Sequence, residues 1–94
     1  YLGNPNNPYG QILHEERLKQ ILPLVEKTQS YLILDESFVD FLGDSFSYRK
    51  LCLCHRQVII VSSLTKFYAV PGLRIGCSFS TEEIAKKCQE QLIP

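Results

Sequence analysis

Lys66 stands in Ser62-Ser63-Leu64-Thr65-Lys66, directly after the apolar run Val58-Ile59-Ile60-Val61, and Arg74 follows it by eight positions. An amine, several hydroxyls and a guanidinium are thereby gathered near one strand end. A primary amine condenses with an aldehyde, and hydroxyl and guanidinium groups grip a phosphate dianion, so this set suits a phosphorylated aldehyde held by a Schiff base and a phosphate clamp. Asp35 closes a second apolar run, Tyr31-Leu32-Ile33-Leu34, and Asn7-Pro8-Tyr9-Gly10 closes the opening loop. Together these separated segments supply one plausible site.

Each residue also has a plainer reading. A single lysine is ordinarily a solvated surface group. An acid at the end of a buried strand can serve a helix N-terminus, Arg74 can form a structural salt bridge, and Ser63 can be a simple loop hydroxyl. Asn7 has the turn-forming habit of asparagine, and Thr65 either touches a phosphate or only shapes its turn.

The elements that must position these groups follow from the apolar pattern. Residues 1–13 carry Gly3, Pro5, Pro8, Gly10 and several asparagines, which predicts an ordered turn rather than helix or strand. Leu18, Ile21, Leu22 and Val25 recur at helical spacing, so an amphipathic helix is expected from near His14, with Glu15 and Glu16 in its favourable first turn. Pro23 is expected to kink that helix or to start a second one. Tyr31–Leu34 and Val58–Val61 read as strands buried on both faces, as in a parallel sheet covered by helices. Between them Asp44 or Ser45 is expected to cap a short helical stretch toward Cys54. Leu73–Phe79 reads as a third strand, and Ser80 with Glu83 as a capping box for a last helix along Ile84, Ala85, Cys88 and Leu92.

That alternation predicts an α/β fold, a mostly parallel mixed sheet flanked by helices. Residues 63 to 72 are too few for a helical crossover, so the third strand is expected to run antiparallel. Polar work in such sheets is done beyond the carboxyl ends of the strands, which groups Asp35 with Ser62 and Ser63.

Composition narrows the function classes. The 94 residues allow at most one domain, with Lys+Arg 10 against Asp+Glu 10 giving a formal net charge of zero. A nucleic-acid surface or an anionic membrane is therefore not expected, and no run approaches the ~20 apolar residues of a membrane span. Cys52, Cys54, Cys77 and Cys88 are not spaced as a disulfide framework and read as buried free thiols in a reducing, cytoplasmic setting. Cys52, Cys54 and His55 lack the spacing and the second pair that a zinc site needs. No G-x-G-x-x-G or P-loop is present, and neither His14 nor His55 stands beside a candidate serine and acid for a hydrolytic triad. Opening on Tyr1 and closing on Pro94, the chain reads as a piece of a longer protein.

Three stretches carry a resemblance: Asn4-Pro5-Asn6-Asn7-Pro8-Tyr9-Gly10, Asp35-Glu36-Ser37-Phe38-Val39-Asp40-Phe41, and Ser63 through Gly76 with Lys66, Pro71-Gly72 and Arg74 at its heart. In this order they resemble the fold-type I pyridoxal-phosphate enzymes of the class I/II aminotransferase superfamily. Within it the wording is most similar to the threonine-phosphate decarboxylases of cobalamin synthesis and to the histidinol-phosphate aminotransferases. The resemblance implies that residues 1–94 are part of the large, cofactor-binding domain and that pyridoxal 5'-phosphate is the cofactor. It assigns Lys66 to the Schiff base and α-carbon proton transfer, Asp35 to the ring nitrogen, Asn7 to the ring oxygen, and Ser63, Thr65 and Arg74 to the phosphate. It further implies a phosphorylated amino acid or amino alcohol as substrate and a homodimer as the whole protein.

Two positions depart from the pattern. Phe38 replaces a tyrosine whose hydroxyl reaches the ring oxygen in many members, and Tyr9 replaces a threonine or serine, with bulk enough to alter the turn that aims Asn7. Leu64-Thr65-Lys66-Phe67-Tyr68 and Phe38 favour decarboxylation over amino transfer. The family's upstream phosphate turn, ring-stacking aromatic and carboxylate-binding arginine lie outside these residues, so weak cofactor binding and no turnover are expected of the 94-residue piece alone.

Overall fold

Alternation along the two central strands decides how the core forms. Leu32 and Leu34 in one strand and Val58 and Ile60 in the next are at most 4% exposed, whereas Ile33, Ile59 and Val61 between them stay half-buried. The expectation of strands buried on both faces is thus corrected: the chain covers one sheet face and leaves the other partly open. Its continuous apolar runs exceed what one covered face requires.

The structure is a computed structural model describing residues 1–92. Its elements are β1 (Leu2–Gly3), α1 (Glu15–Thr28), β2 (Leu32–Asp35), β3 (Val58–Ser63), β4 (Gly76–Phe79) and α2 (Glu82–Gln91), with 3-10 turns at Val39–Phe41, Asp44–Phe46 and Arg49–Leu53 between β2 and β3. The sheet order is β1-β2-β3-β4. β1 and β3 each pair parallel to β2, and β4 pairs antiparallel to β3. The α/β reading and the antiparallel last strand agree with this arrangement. β1 differs from the predicted opening turn: Leu2 and Gly3 are drawn into the ladder opposite Leu34 and Asp35, a tertiary pairing that local turn chemistry does not reveal.

On the covered face, Leu18 and Val25 of α1 join Leu32, Leu34, Cys52, Val58 and Ile60 in one cluster, with Ile21, Leu22, Leu51 and Phe79 packed against it. α1 starts where its stripe predicted, after His14, but it runs unbroken through Pro23. Pro23 is exposed, so the carbonyl it leaves without an amide partner lies on the side where water can serve instead. The expected cap at Asp44 or Ser45 is absent. Gly43 precedes that turn without a side-chain cap, and the region forms separate 3-10 turns. Likewise Thr81, not Ser80, precedes α2, and Glu83 pairs with Lys87 at 2.9 Å and Arg56 at 3.6 Å instead of reaching back. Of the cysteines only Cys52 is buried; Cys54 and Cys88 are exposed and Cys77 is intermediate.

Close approach explains one residue type near the site. A Cβ on Gly76 would lie 2.9 Å from the Ser62 carbonyl oxygen, so glycine lets β4 start against the end of β3.

Leu34→Ala in the protein carrying this chain is expected to cost about 2–5 kcal/mol, since it opens a cavity between sheet and helix. Urea denaturation measures this, and a loss under about 1 kcal/mol would contradict the packing described.

Candidate functional site

Parallel pairing sets Asp35 beside Val61, and the chain then continues through Ser62 and Ser63 into the turn bearing Lys66. On the other side, β1 leads into Asn4, whose amide N–H donates to the Asp35 carbonyl at 2.8 Å. The carboxyl ends of three parallel strands therefore deliver the three separated segments to one edge, as the grouping of Asp35 with Ser62 and Ser63 anticipated.

A cleft of about 550 Å³ opens at that edge, with Asn7, Asp35, Phe38, Ser63 and Lys66 among its walls. A neighbouring depression of about 460 Å³ is lined by Ser63, Thr65 and Arg74. Ser37 and Ser63 border both. Every residue singled out from the sequence thus reaches one of two adjoining hollows. Ring-directed candidates gather in the first, phosphate-directed candidates in the second.

Asp35 is held as an anion. Burial by itself pushes its carboxyl up, but hydrogen bonds from the Ser37 hydroxyl, the Tyr1 hydroxyl and the Ser37 amide outweigh that and hold it below the ordinary aspartate value. Ser37 donates to Oδ1 from Oγ at 2.5 Å and from its amide at 3.0 Å, and Tyr1 donates to Oδ2. The same bond holds the Tyr1 phenol above its usual range, because ionising it would place a second negative charge against Asp35.

The turn after β3 is stapled to itself. Ser63 Oγ and Thr65 Oγ1 lie 2.9 Å apart, the Val70 amide donates to the Thr65 carbonyl at 3.0 Å, and Ala69 takes φ +52°. Thr65 is buried in this turn and also borders the second hollow. Its hydroxyl and that of Ser63 hold two hydrogens between them and use one on each other, leaving one to donate outward. Lys66 and Arg74 are both exposed at the hollows. Asn7 lies on the first hollow's rim, and Tyr9 is 82% exposed and does not line that hollow. Phe38 lines the cleft with a bare ring stacked on Phe41 at 6.3 Å.

Sequence reading passed over Ser37, Tyr1, Asn4 and Glu36. Glu36 and Asn4 are fully buried: Asn4 Nδ2 donates to Glu36 Oε2 at 3.3 Å, and Asn4 Oδ1 accepts from the Leu13 amide at 3.0 Å, closing the loop that carries Asn7. A serine two residues after an aspartate is a local signal for a side-chain turn; nothing local marks the others. Among the described residues no group of three His, Cys, Asp or Glu side chains converges as a metal site, and no helix is long and apolar enough to cross a membrane.

An anionic carboxylate, an amine and an amide on one hollow, with hydroxyls and a guanidinium on the next, form a donor set for a phosphorylated heteroaromatic aldehyde. Residues 1–93 match the family model described as aminotransferase class I and II. The chain belongs to this family. This aminotransferase-family chain is 34% identical over 94 residues to a histidinol-phosphate aminotransferase of Blochmanniella pennsylvanica, covering 100% of the chain and 26% of that protein. It is 34% identical over 85 residues to the threonine-phosphate decarboxylase of Salmonella typhimurium, covering 90% of the chain and 23% of that protein. Its fold matches the crystal structure of the histidinol-phosphate aminotransferase from Clostridium acetobutylicum with a TM-score of 0.89 and 35% identity, over 99% of the chain and 29% of that structure. The aminotransferase-family chain thus spans about a quarter of the length of the relatives it matches.

A carboxyl depressed in the folded state adds stability that is fully present above the ordinary aspartate value of about 3.9 and is lost as pH falls through the lower folded value. Urea midpoints are therefore expected to drop as the solution is acidified across that interval, and Asp35→Asn is expected to flatten this part of the curve. Superimposable acid limbs for the two proteins would contradict the bonding described for Asp35.

Proposed function

We propose that the protein carrying this chain binds pyridoxal 5'-phosphate and decarboxylates a phosphorylated amino acid, as the threonine-phosphate decarboxylases it resembles do for cobalamin synthesis. The supporting observation is the shared rim at Ser63, where a hollow holding anionic Asp35, Asn7 and Lys66 meets one holding Thr65 and Arg74. A planar pyridine with a phosphate arm has its charges in that order. Residues 1–94 are then part of a large cofactor-binding domain.

When bound, pyridoxal phosphate supplies an aldehyde for amines and a ring that draws electron density from the substrate's α-carbon. Asp35 would keep the ring nitrogen protonated, since an anionic acceptor favours the charged form of its donor. Asn7 would donate an amide hydrogen to the ring oxygen. Phe38 offers that oxygen no hydroxyl, only a ring edge that excludes water. Ser63 and Arg74 would hold the phosphate, with Thr65 setting the direction of the Ser63 hydroxyl. Lys66 would tether the cofactor and, once displaced by substrate, deliver a proton to the α-carbon as its bond to the carboxylate breaks and carbon dioxide leaves. The product is a phosphorylated amino alcohol.

A second reading, a histidinol-phosphate-type aminotransferase passing an amino group to 2-oxoglutarate, is favoured by the 0.89 TM-score to such an enzyme. Phe38 and the Leu64-Thr65-Lys66 wording favour the decarboxylase. Both readings use the same cofactor and the same residues, and differ in which α-carbon bond the substrate's carboxylate anchor holds perpendicular to the ring. The family's homodimeric state and a cytoplasmic location, which suits the free thiols, belong to the proposal.

Incubation of the full-length protein and pyridoxal phosphate with O-phospho-threonine is expected to release carbon dioxide, and Lys66→Ala to abolish release. Amino transfer between glutamate and a phosphorylated substrate without release of carbon dioxide would move the protein to the second reading. Arg74→Ala is expected to weaken pyridoxal phosphate binding by on the order of tenfold or more, through loss of a charged hydrogen-bond donor. Fluorescence titration reads this directly, and unchanged affinity would remove Arg74 from the phosphate site.

A further inference from the structure

Ser37 borders both hollows, as Ser63 does, and its hydroxyl bonds to both Asp35 and Ser63. Its hydroxyl donates to Asp35 Oδ1 at 2.5 Å and accepts from the Ser63 amide at 3.0 Å. The direction of these bonds follows from the chemistry of the partners. An amide N–H can only donate and an ionised carboxylate can only accept, so the single hydroxyl proton must point at Asp35. With the Ser37 amide also on Oδ1 at 3.0 Å, that oxygen receives two hydrogen bonds from one residue. Oδ2 accepts instead from the hydroxyl of Tyr1, which lines the first hollow together with Asp35.

We propose that Ser37 is a positioning residue for cofactor binding: its hydroxyl holds Asp35 by Oδ1 and sets the spacing between that carboxylate and Ser63. The inference rests on reading the cleft as a pyridoxal phosphate site. In that cofactor the ring nitrogen and the phosphate are joined by a short, nearly rigid framework, so the protein groups that receive them need a fixed separation. Asp35 and Ser63 lie on adjacent strands whose ladder fixes their backbones but not the Asp35 side chain. A hydroxyl bonded at once to the carboxylate and to the Ser63 backbone supplies the missing constraint. Without it Asp35 keeps its bonds to the Ser37 amide and the Tyr1 hydroxyl but loses the link to the Ser63 backbone, so the separation between the two is held less tightly.

The titratable or charged groups around Asp35 are the Tyr1 phenol ahead of β1, the Lys66 amine in the turn after β3 and, beyond Ser63, the Arg74 guanidinium before β4. Glu36, its chain neighbour, turns into the opposite, buried side. Ser37→Ala leaves these groups and the Ser37 amide bond in place and removes only the hydroxyl.

The experiment uses the full-length protein. Without cofactor, carbon-13 NMR follows titration of the Asp35 carboxyl, identified by the signal missing from Asp35→Asn; fluorescence titration then gives pyridoxal phosphate affinity. Ser37→Ala is expected to raise the Asp35 midpoint and to weaken cofactor binding by roughly tenfold, the scale for losing a hydrogen bond to a charged group. Ser37→Thr, which keeps a hydroxyl, is expected to restore both. A merely structural role would lower the unfolding temperature and leave the Asp35 titration where it was, which would overturn the proposal, as would a shifted titration with unchanged affinity. Failure of the wild-type protein to bind pyridoxal phosphate would sink the reading of the cleft and this role with it. Wild-type binding beside an unmoved titration in Ser37→Ala would sink this role alone.

Discussion

A carboxylate with no exposed surface ties together the segments that build the site. Glu36 accepts hydrogen bonds from Asn4 Nδ2, Ser47 Oγ and the Tyr48 amide, and its own amide donates to the Val61 carbonyl at 2.8 Å. The opening loop, the end of β2, the 3-10 region and β3 all meet at this one residue. A buried charge without partners costs several kcal/mol, so each partner is held in place by the penalty for leaving. Arg49 completes the surroundings, with Nε 3.7 Å from Glu36, a terminal nitrogen on Asp40 at 3.2 Å and its guanidinium carbon 4.9 Å from the centre of the Phe79 ring. Its Nε has no hydrogen-bond partner among the described residues, so toward Glu36 this arginine contributes charge, while its directed bond goes to Asp40.

Consecutive acids at the end of one strand divide two tasks by alternation alone. Side chains of neighbouring strand residues leave opposite faces. Asp35 therefore enters the cleft while Glu36 enters the interior, and the same two-residue period puts Ser62 inside and Ser63 at the rim. A one-residue slip of β2 against β3 would exchange Asp35 and Glu36. The buried ladder resists that slip, because it would drag Leu32 and Leu34 to the open face. Core packing and site geometry are in this sense one constraint, and that face, bordered by Asp35, carries the half-buried Ile33, Ile59 and Val61.

Much of the site is legible in the amino-acid sequence. Lys66, Arg74, Ser63 and Asp35 announce themselves by type and by place at the ends of apolar runs, and the strand-helix alternation around them specifies a sheet whose carboxyl edge collects them. Local signals mislead where a tertiary contact is stronger. Ser80 and Glu83 form a capping box by spacing, but Lys87 and Arg56 take the glutamate. Pro23 reads as a breaker, yet its exposed place in α1 lets water replace the lost amide. Leu2 and Gly3 look like loop until β2 offers them a ladder.

Residue type and spacing by themselves determined the α/β order of elements and the chemistry available, because amines, carboxylates and guanidiniums carry their reactivity wherever they stand, and apolar periodicity follows from backbone geometry; the family came from the resemblance of three stretches. Only the tertiary structure decided that Ser37 links Asp35 to Ser63, that Asn4 and Glu36 lock the opening loop, that Thr65 is buried and that Tyr9 faces solvent. Those outcomes depend on which atoms from residues 26 or 32 positions apart come within hydrogen-bond reach, and no local pattern along the chain encodes a distance across it.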